Sequence, residues 1–297
     1  MDTKNLIPLL AMPLLLLVVE IGAVLLSLPV QASGIVAFED PTSLENPLIF
    51  IAILLVFTGF LLLLIKYDMK KVIAAVIGLS LFCTFVYIFM ALLYAFMGVS
   101  DLANIAVLVL AILATALLYK YPEWYVIDAL GILIGAGVAS IFGVSLDVWP
   151  VVILLILLAV YDAISVYKTK HMITLAEGVI DLKTPILFVI PKKRDYSFIK
   201  EGIGKLGDGG ERSAFIIGMG DLIMPSILVV SANVFIQGSK IGGILNLPAL
   251  GAIIGSLAGL LVLLHFVMSG KPQAGLPPLN GGTIIGFLVG LAAMSWV

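Results

Sequence analysis

The chain has 297 residues, is 62% hydrophobic and only 11% charged, and carries a formal net charge of −2, with a mean hydropathy of +1.24. That composition lies far from a soluble domain and places the chain among polytopic membrane proteins. A net charge near zero argues against nucleic acid as a partner. The lone Cys83, read as a buried packing residue, excludes an intrachain disulfide and a Cys-based metal cage.

Apolar runs of about 18 or more residues read as transmembrane helices. In chain order they cover 6–30, 47–65, 72–97, 102–119, 125–142, 150–167, 213–236, 246–268 and 277–297, nine in all. The first is too long for a signal-peptide core and lacks a convincing cleavage site, so it reads as a retained helix. The expectation is an all-α polytopic membrane protein forming one integrated membrane domain. Residues 1–167 form a six-helix part, 168–212 a polar loop, and 213–297 a three-helix part. Lys and Arg set the orientation. With nine spans, 15 basic residues fall on one side, nine of them between Lys168 and Arg212, and only Lys240 falls on the other. The N-terminus is therefore expected in the cytoplasm and the C-terminus outside.

Asp162 and Asp221 lie inside the sixth and seventh apolar runs, on either side of the long loop. An ionisable group at mid-bilayer costs roughly 2.5–3.5 kcal/mol even on the mildest scale, which makes it a functional candidate. At about 1.5 Å per residue, Asp162 is about 9 Å from the cytoplasmic exit of its helix and Asp221 about 13 Å from the start of its own. The two can meet if those antiparallel helices are neighbours. Two carboxylates in contact cannot both ionise cheaply; such a pair shares a proton and supplies one general base and one general acid. The base can activate a water against a peptide carbonyl, and the acid can protonate its oxygen and then the leaving nitrogen. Spacing alone leaves protease and proton or cation relay equally open, with a structural pair behind them.

Local sequence narrows this. Asp221 ends Gly218-Met219-Gly220-Asp221, where two glycines loosen a helix or permit close backbone approach. Pro225 would deprive the Asp221 carbonyl of its helical partner and kink the helix. Tyr161 precedes Asp162. Tyr161-Asp162 in one span, a polar loop, then Gly-Met-Gly-Asp in the next, within nine spans, resembles the presenilin and signal-peptide-peptidase family of GxGD-type intramembrane aspartyl proteases. The resemblance covers the whole chain in topology and is specific at 161–162 and 218–221.

That family carries a Pro-Ala-Leu motif opening its ninth helix on the cytoplasmic side. The literal Pro248-Ala249-Leu250 here falls at the outer end of the eighth span, on the wrong side. The better match is Pro277-Pro278-Leu279, with Pro278 in place of Ala. Consecutive prolines suit an extended rim, although Pro also simply starts helices. The resemblance implies an Asp162/Asp221 dyad supported by Tyr161, Gly218, Met219, Gly220, Pro277, Pro278 and Leu279, with no metal or organic cofactor. The charge count matches the presenilin-like orientation. That resemblance implies substrates with one transmembrane helix and an external N-terminus, met in the lipid bilayer, and the compact chain with its short loop suggests a microbial homologue in the cell membrane. Accessory subunits are not expected to be required, and self-association stays open. The rival is a transporter or cation leak pathway built on the same acids.

Within the loop, Pro185–Ile190 (PILFVI) is too short to span. It reads as a strand or interfacial segment, offering an edge to an unwound substrate or acting as a lid. Glu20, in the outer half of the first span, is a weak candidate. Asp128 and His265, near span ends, read as snorkelling groups.

Overall fold

The computed structural model describes residues 3–168, 187–193, 195–202, 214–267 and 273–295, and the side chains from residue 10 onward. Loop residues 169–186, Arg194, 203–213 and 268–272 lie outside it, including Pro185 and Ile186 of the PILFVI run.

Six long helices come first: α1 (Thr3–Ser33), α2 (Glu45–Lys66), α3 (Lys70–Met97), α4 (Asp101–Lys120), α5 (Trp124–Ser145) and α6 (Val148–Ala163). A π-helical turn, Ile164–Lys168, extends α6. Then follow β1 (Leu187–Pro191), the short α7 (Phe198–Glu201), β2 (Ala214–Gly218) and α8 (Met219–Phe235). The chain continues through β3 (Lys240–Ile241) and β4 (Leu245–Asn246) to α9 (Leu247–Val267) and α10 (Leu276–Met294). Among the described residues, eight helices are long and apolar enough to cross a membrane. The molecule is a mostly helical, multi-pass membrane protein.

The seventh expected span departs from a single helix. Its first residues, Ala214–Gly218, are a strand, and the helix begins only at Met219. At 17 residues α8 is about 25 Å long, short of the roughly 30 Å hydrocarbon core. Asp221 therefore sits in the first turn of α8, not midway along a continuous helix. Pro225 lies inside α8, one turn on.

Burial separates centre from periphery. α8 packs against α1, α5, α6, α9 and α10, and its residues from Leu222 to Asn233 are buried apart from Met224. α2 instead turns Leu48, Ile53, Val56 and Leu63 outward. Such continuous exposed apolar surface belongs to lipid, not water. Small residues set the close approaches. A Cβ on Gly143 would fall 2.5 Å from Val230 Cβ, and one on Gly131 would fall 2.9 Å from Met219 Cε and 3.0 Å from the Phe188 ring. The notch at Gly131 thus receives one residue of β1 and one of the Gly-Met-Gly-Asp run. Cys83, expected inside, is exposed on α3: the buried face of that helix is Ile73, Ile77, Leu81, Phe85 and Ile88, and Cys83 lies off it.

Candidate active site

Asp162 ends α6 and is 5% exposed. Its Oδ2 accepts the N–H of Leu276 at 3.0 Å, and its carboxylate also takes a backbone hydrogen bond from Gly275. Leu276 opens α10, with Pro277 and Pro278 in the first turn, where Pro costs nothing because those N–H groups have no helical partner. Asp162 therefore caps α10, and the positive end of that helix points at the acid.

Asp221 reaches the same place from the other side. Its carboxylate accepts a backbone hydrogen bond from Gly218 and lies within electrostatic reach of Asp162. A Cβ placed on Gly275 would fall 3.0 Å from Asp221 Oδ2 and 3.1 Å from Cγ. Two acids more than fifty positions apart in sequence thus converge on the Gly275-Leu276 peptide. Asp221 is half-buried and its neighbour Gly220 is exposed, with open space where a Cβ on Gly220 would project. The pair is open on that side.

The expected supporting residues divide by position. Gly218 touches Asp221 through its backbone, and Met219 is buried in the Gly131 notch. Pro277 and Pro278 form the half-buried start of α10, while Leu279 is fully buried beneath them. Tyr161 is half-buried beside Asp162. Pro248 of the literal Pro-Ala-Leu packs at the far end, where a Cβ on Gly290 would meet its Cα at 2.9 Å; Pro278 O lies against Gly259. Pro248 and Gly259 are eleven residues apart on α9, which separates the two prolines by about 17 Å along the helix.

Two strands stand beside the acids. β1 and β2 pair antiparallel with Leu187 opposite Gly218 and Val189 opposite Ile216. Val189 N–H points away from β2 and donates to Asp128 Oδ1 at 2.8 Å. Asp128 is therefore a strand anchor, not a snorkelling group. Glu123 adds a second anchor: its carboxylate accepts Ser197 Oγ–H at 2.6 Å and the Phe198 N–H at 3.0 Å. Close by, the Tyr196 hydroxyl donates to Gly202 O at 2.8 Å, and burial followed by the nearby Glu201 and Glu123 pushes it up to about 12. It stays a neutral donor throughout the physiological range.

In an antiparallel pair, opposed residues either both bond each other or both point outward. Since Val189 points outward, so does Ile216, and the backbone groups of Ala214, Ile216 and Gly218 line the far edge of β2. Among the described residues this sheet has two strands, so that edge carries no third strand. It leads directly to Asp221. The unbonded edge is that of β2, not of β1 in the PILFVI run, because β1 is held between β2 and Asp128.

Glu20, by contrast, is fully buried and sits 2.6 Å from Ser256 Oγ, remote in packing from Gly275. Gly275 and Glu123 escaped the sequence reading, and Asp128 was given a snorkelling role instead of an anchoring one; for Gly275, a glycine directly before the Leu-Pro-Pro run was the one available signal.

A multi-pass membrane protein with two acids meeting at a helix N-terminus defines the class: an intramembrane hydrolase of the aspartyl type. The family model described as signal-peptide peptidase, presenilin aspartyl protease matches residues 13–296. Two solved structures, described as a presenilin family intramembrane aspartate protease in C222 and P2 space groups, are each 53% identical to this chain. They cover 96% of it and 99% and 98% of their own chains, with TM-scores of 0.71 and 0.69. No curated protein matches. The chain belongs to the signal-peptide peptidase and presenilin family and is an intramembrane aspartyl protease. Nothing in these comparisons supports the transport alternative.

Proposed function

We propose that Asp162 and Asp221 are the catalytic dyad, cutting transmembrane substrates near the cytoplasmic face. The observation that carries this is their convergence on Gly275-Leu276. The ionised partner takes a proton from water as the water oxygen attacks the peptide carbonyl carbon, and the protonated partner donates to the carbonyl oxygen. The tetrahedral diol then collapses, the C–N bond breaks, and the departing nitrogen takes a proton from the pair. Gly218, Gly220, Tyr161 and the Pro277-Pro278-Leu279 turn support the acids without entering these steps.

The far edge of β2 receives an unwound stretch of substrate as an added strand. Main-chain bonds there give affinity independent of sequence, and the ladder ends at Asp221. Both acids and the capped helix come from one chain, so neither accessory subunits nor self-association is needed to complete the site. The 1–167, 168–212 and 213–297 parts act as one membrane body crossing nine times, α8 included. The charge asymmetry supports a cytoplasmic N-terminus, an external C-terminus and substrates with an external N-terminus; the compact chain and its short 168–212 segment support residence in a microbial cell membrane. Proteolytic cutting of the 168–212 segment from the external face of sealed cells would overturn that orientation.

The test of the function is direct. Purified protein is incubated with a tagged single-span substrate beside Asp162→Asn and Asp221→Asn. Either change is expected to abolish cleavage while leaving the protein folded. Cleavage surviving in either variant would remove that acid from the dyad.

A further inference from the structure

Tyr167 lies five residues beyond Asp162. In a continuous α-helix, at 3.6 residues per turn, it would stand about 140° round the axis from that acid. The π turn over Ile164–Lys168 widens the winding to i→i+5 hydrogen bonds, a feature that recurs at functional sites. Its consequence here is that Tyr167 and Asp162 bind the same stretch of chain. The Tyr167 hydroxyl accepts the Ala274 N–H at 3.2 Å and donates to Gln273 Oε1 at 2.8 Å. Asp162 takes the next two N–H groups, those of Gly275 and Leu276. Three successive backbone donors are thus held by two side chains of a single helix end, and the middle residue, Gly275, bears on Asp221.

We propose that Tyr167 is a positioning residue: its hydroxyl latches the Gln273–Gly275 segment to the end of α6 and so fixes the Gly275-Leu276 peptide between the two acids. The inference rests on the dyad reading of Asp162 and Asp221. In the segment before α10 only the Gly275 carbonyl joins the helix, accepting the Leu279 N–H at 3.4 Å; the N–H groups of Ala274 and Gly275, ahead of the first turn, have no helical partner to set their register. Asp162 alone holds it at a single carboxylate, about which the peptide can pivot; a second attachment at residues 273–274 removes that freedom. The ring is more than half exposed, beside a cavity of about 250 Å³ shared with Leu263, Phe266, Pro277 and Pro278. Its apolar burial is therefore small, and the hydroxyl is its specific contribution. An aromatic residue placed at the membrane surface only as an interfacial anchor would act through its ring and keep its effect as Phe.

The experiment uses the full-length purified chain, with Tyr167→Phe, Gln273→Ala and Asp162→Asn beside the parent. Three quantities are read on each: melting temperature, kcat and KM on a tagged single-span substrate, and hydrogen–deuterium exchange of the peptide covering 273–276. Tyr167→Phe is expected to melt with the parent, lose about tenfold in kcat with KM unchanged, as misplacement near reacting groups does, and exchange faster at 274–276. Gln273→Ala, which removes one of the two hydroxyl contacts, is expected to shift kcat and exchange in the same direction by less, and stands in should Tyr167→Phe fail to fold. Unchanged exchange overturns the latch whatever the acids do. Faster exchange with unchanged kcat overturns the positioning role, as does a kcat loss that disappears on correcting for folded protein. An active Asp162→Asn would instead remove the dyad reading, leaving the exchange result to decide the latch alone.

Discussion

At the scale of single residues, Gly275 shows what the site demands. Its φ of −79° and ψ of −41° are open to any residue, so the requirement there is space. A methyl group would lie 3.0–3.2 Å from three atoms of the Asp221 carboxylate, closer than such contacts normally run. Gly275→Ala should therefore leave fold and melting temperature intact while turning Asp221 away from Asp162, lowering kcat by about tenfold to a hundredfold with little change in KM. Parent-like kcat would mean that the carboxylate has room to yield. The two acids themselves were legible in the sequence because a charge inside an apolar run stands out against its surroundings. Gly275 was not: it is one of 29 glycines, and only the arrival of α6 and α8 gives it a role. Asp128 and Glu123 were obscured for a related reason. Near a helix end, exposure to water is the default account of an acid, and their partners arrive 61 and 74–75 residues later in the chain.

At the scale of elements, the seventh apolar run was read as a helix because hydropathy and length alone cannot divide a strand from the helix that follows it. Its opening, Ala-Phe-Ile-Ile, is aromatic and β-branched, which favours a strand, and the Gly218–Gly220 pair supplies the break. β1 was anticipated as a strand or interfacial segment from its short apolar length, but its orientation was not, because that is set by Asp128 on a distant helix. The sheet supports a test of substrate addition. The Ile216 N–H faces the far edge of β2 and takes no part in the ladder with β1, so Ile216→Pro removes a donor from the open edge alone, the side on which strands tolerate Pro. This variant should retain the β1–β2 pair and the fold yet cut turnover of transmembrane substrates severely. The comparison is with Ile216→Val, which keeps the donor and a similar side chain. Equal cleavage by both variants would show that substrate does not add to this edge.

At the scale of the whole molecule, the placing of the acids depends on α9 and α10, whose backbones touch along their length. A Cβ on Gly251, Gly255 or Gly259 would overlap the carbonyl oxygens of Gly286, Gly282 and Pro278 respectively. Glycine stripes of this kind let helices associate in lipid, where burying apolar surface gives no advantage and close van der Waals packing must serve instead. Glycine content alone could not show that this packing carries the Gly275-Leu276 peptide to Asp162 and Asp221. Gly255→Val separates the two backbones near mid-membrane. Overpacking a tight contact typically costs about 1–3 kcal/mol, and here the clash is with backbone, which cannot rotate aside as a side chain can. Stability and activity should then fall together, the reverse of Gly275→Ala, where activity falls alone. Melting and cleavage measured on both variants distinguish the two kinds of glycine. If Gly255→Val melts like the parent yet loses activity, the α9–α10 seam moves without breaking, and its role is to set the position of α10 and not to hold the molecule together.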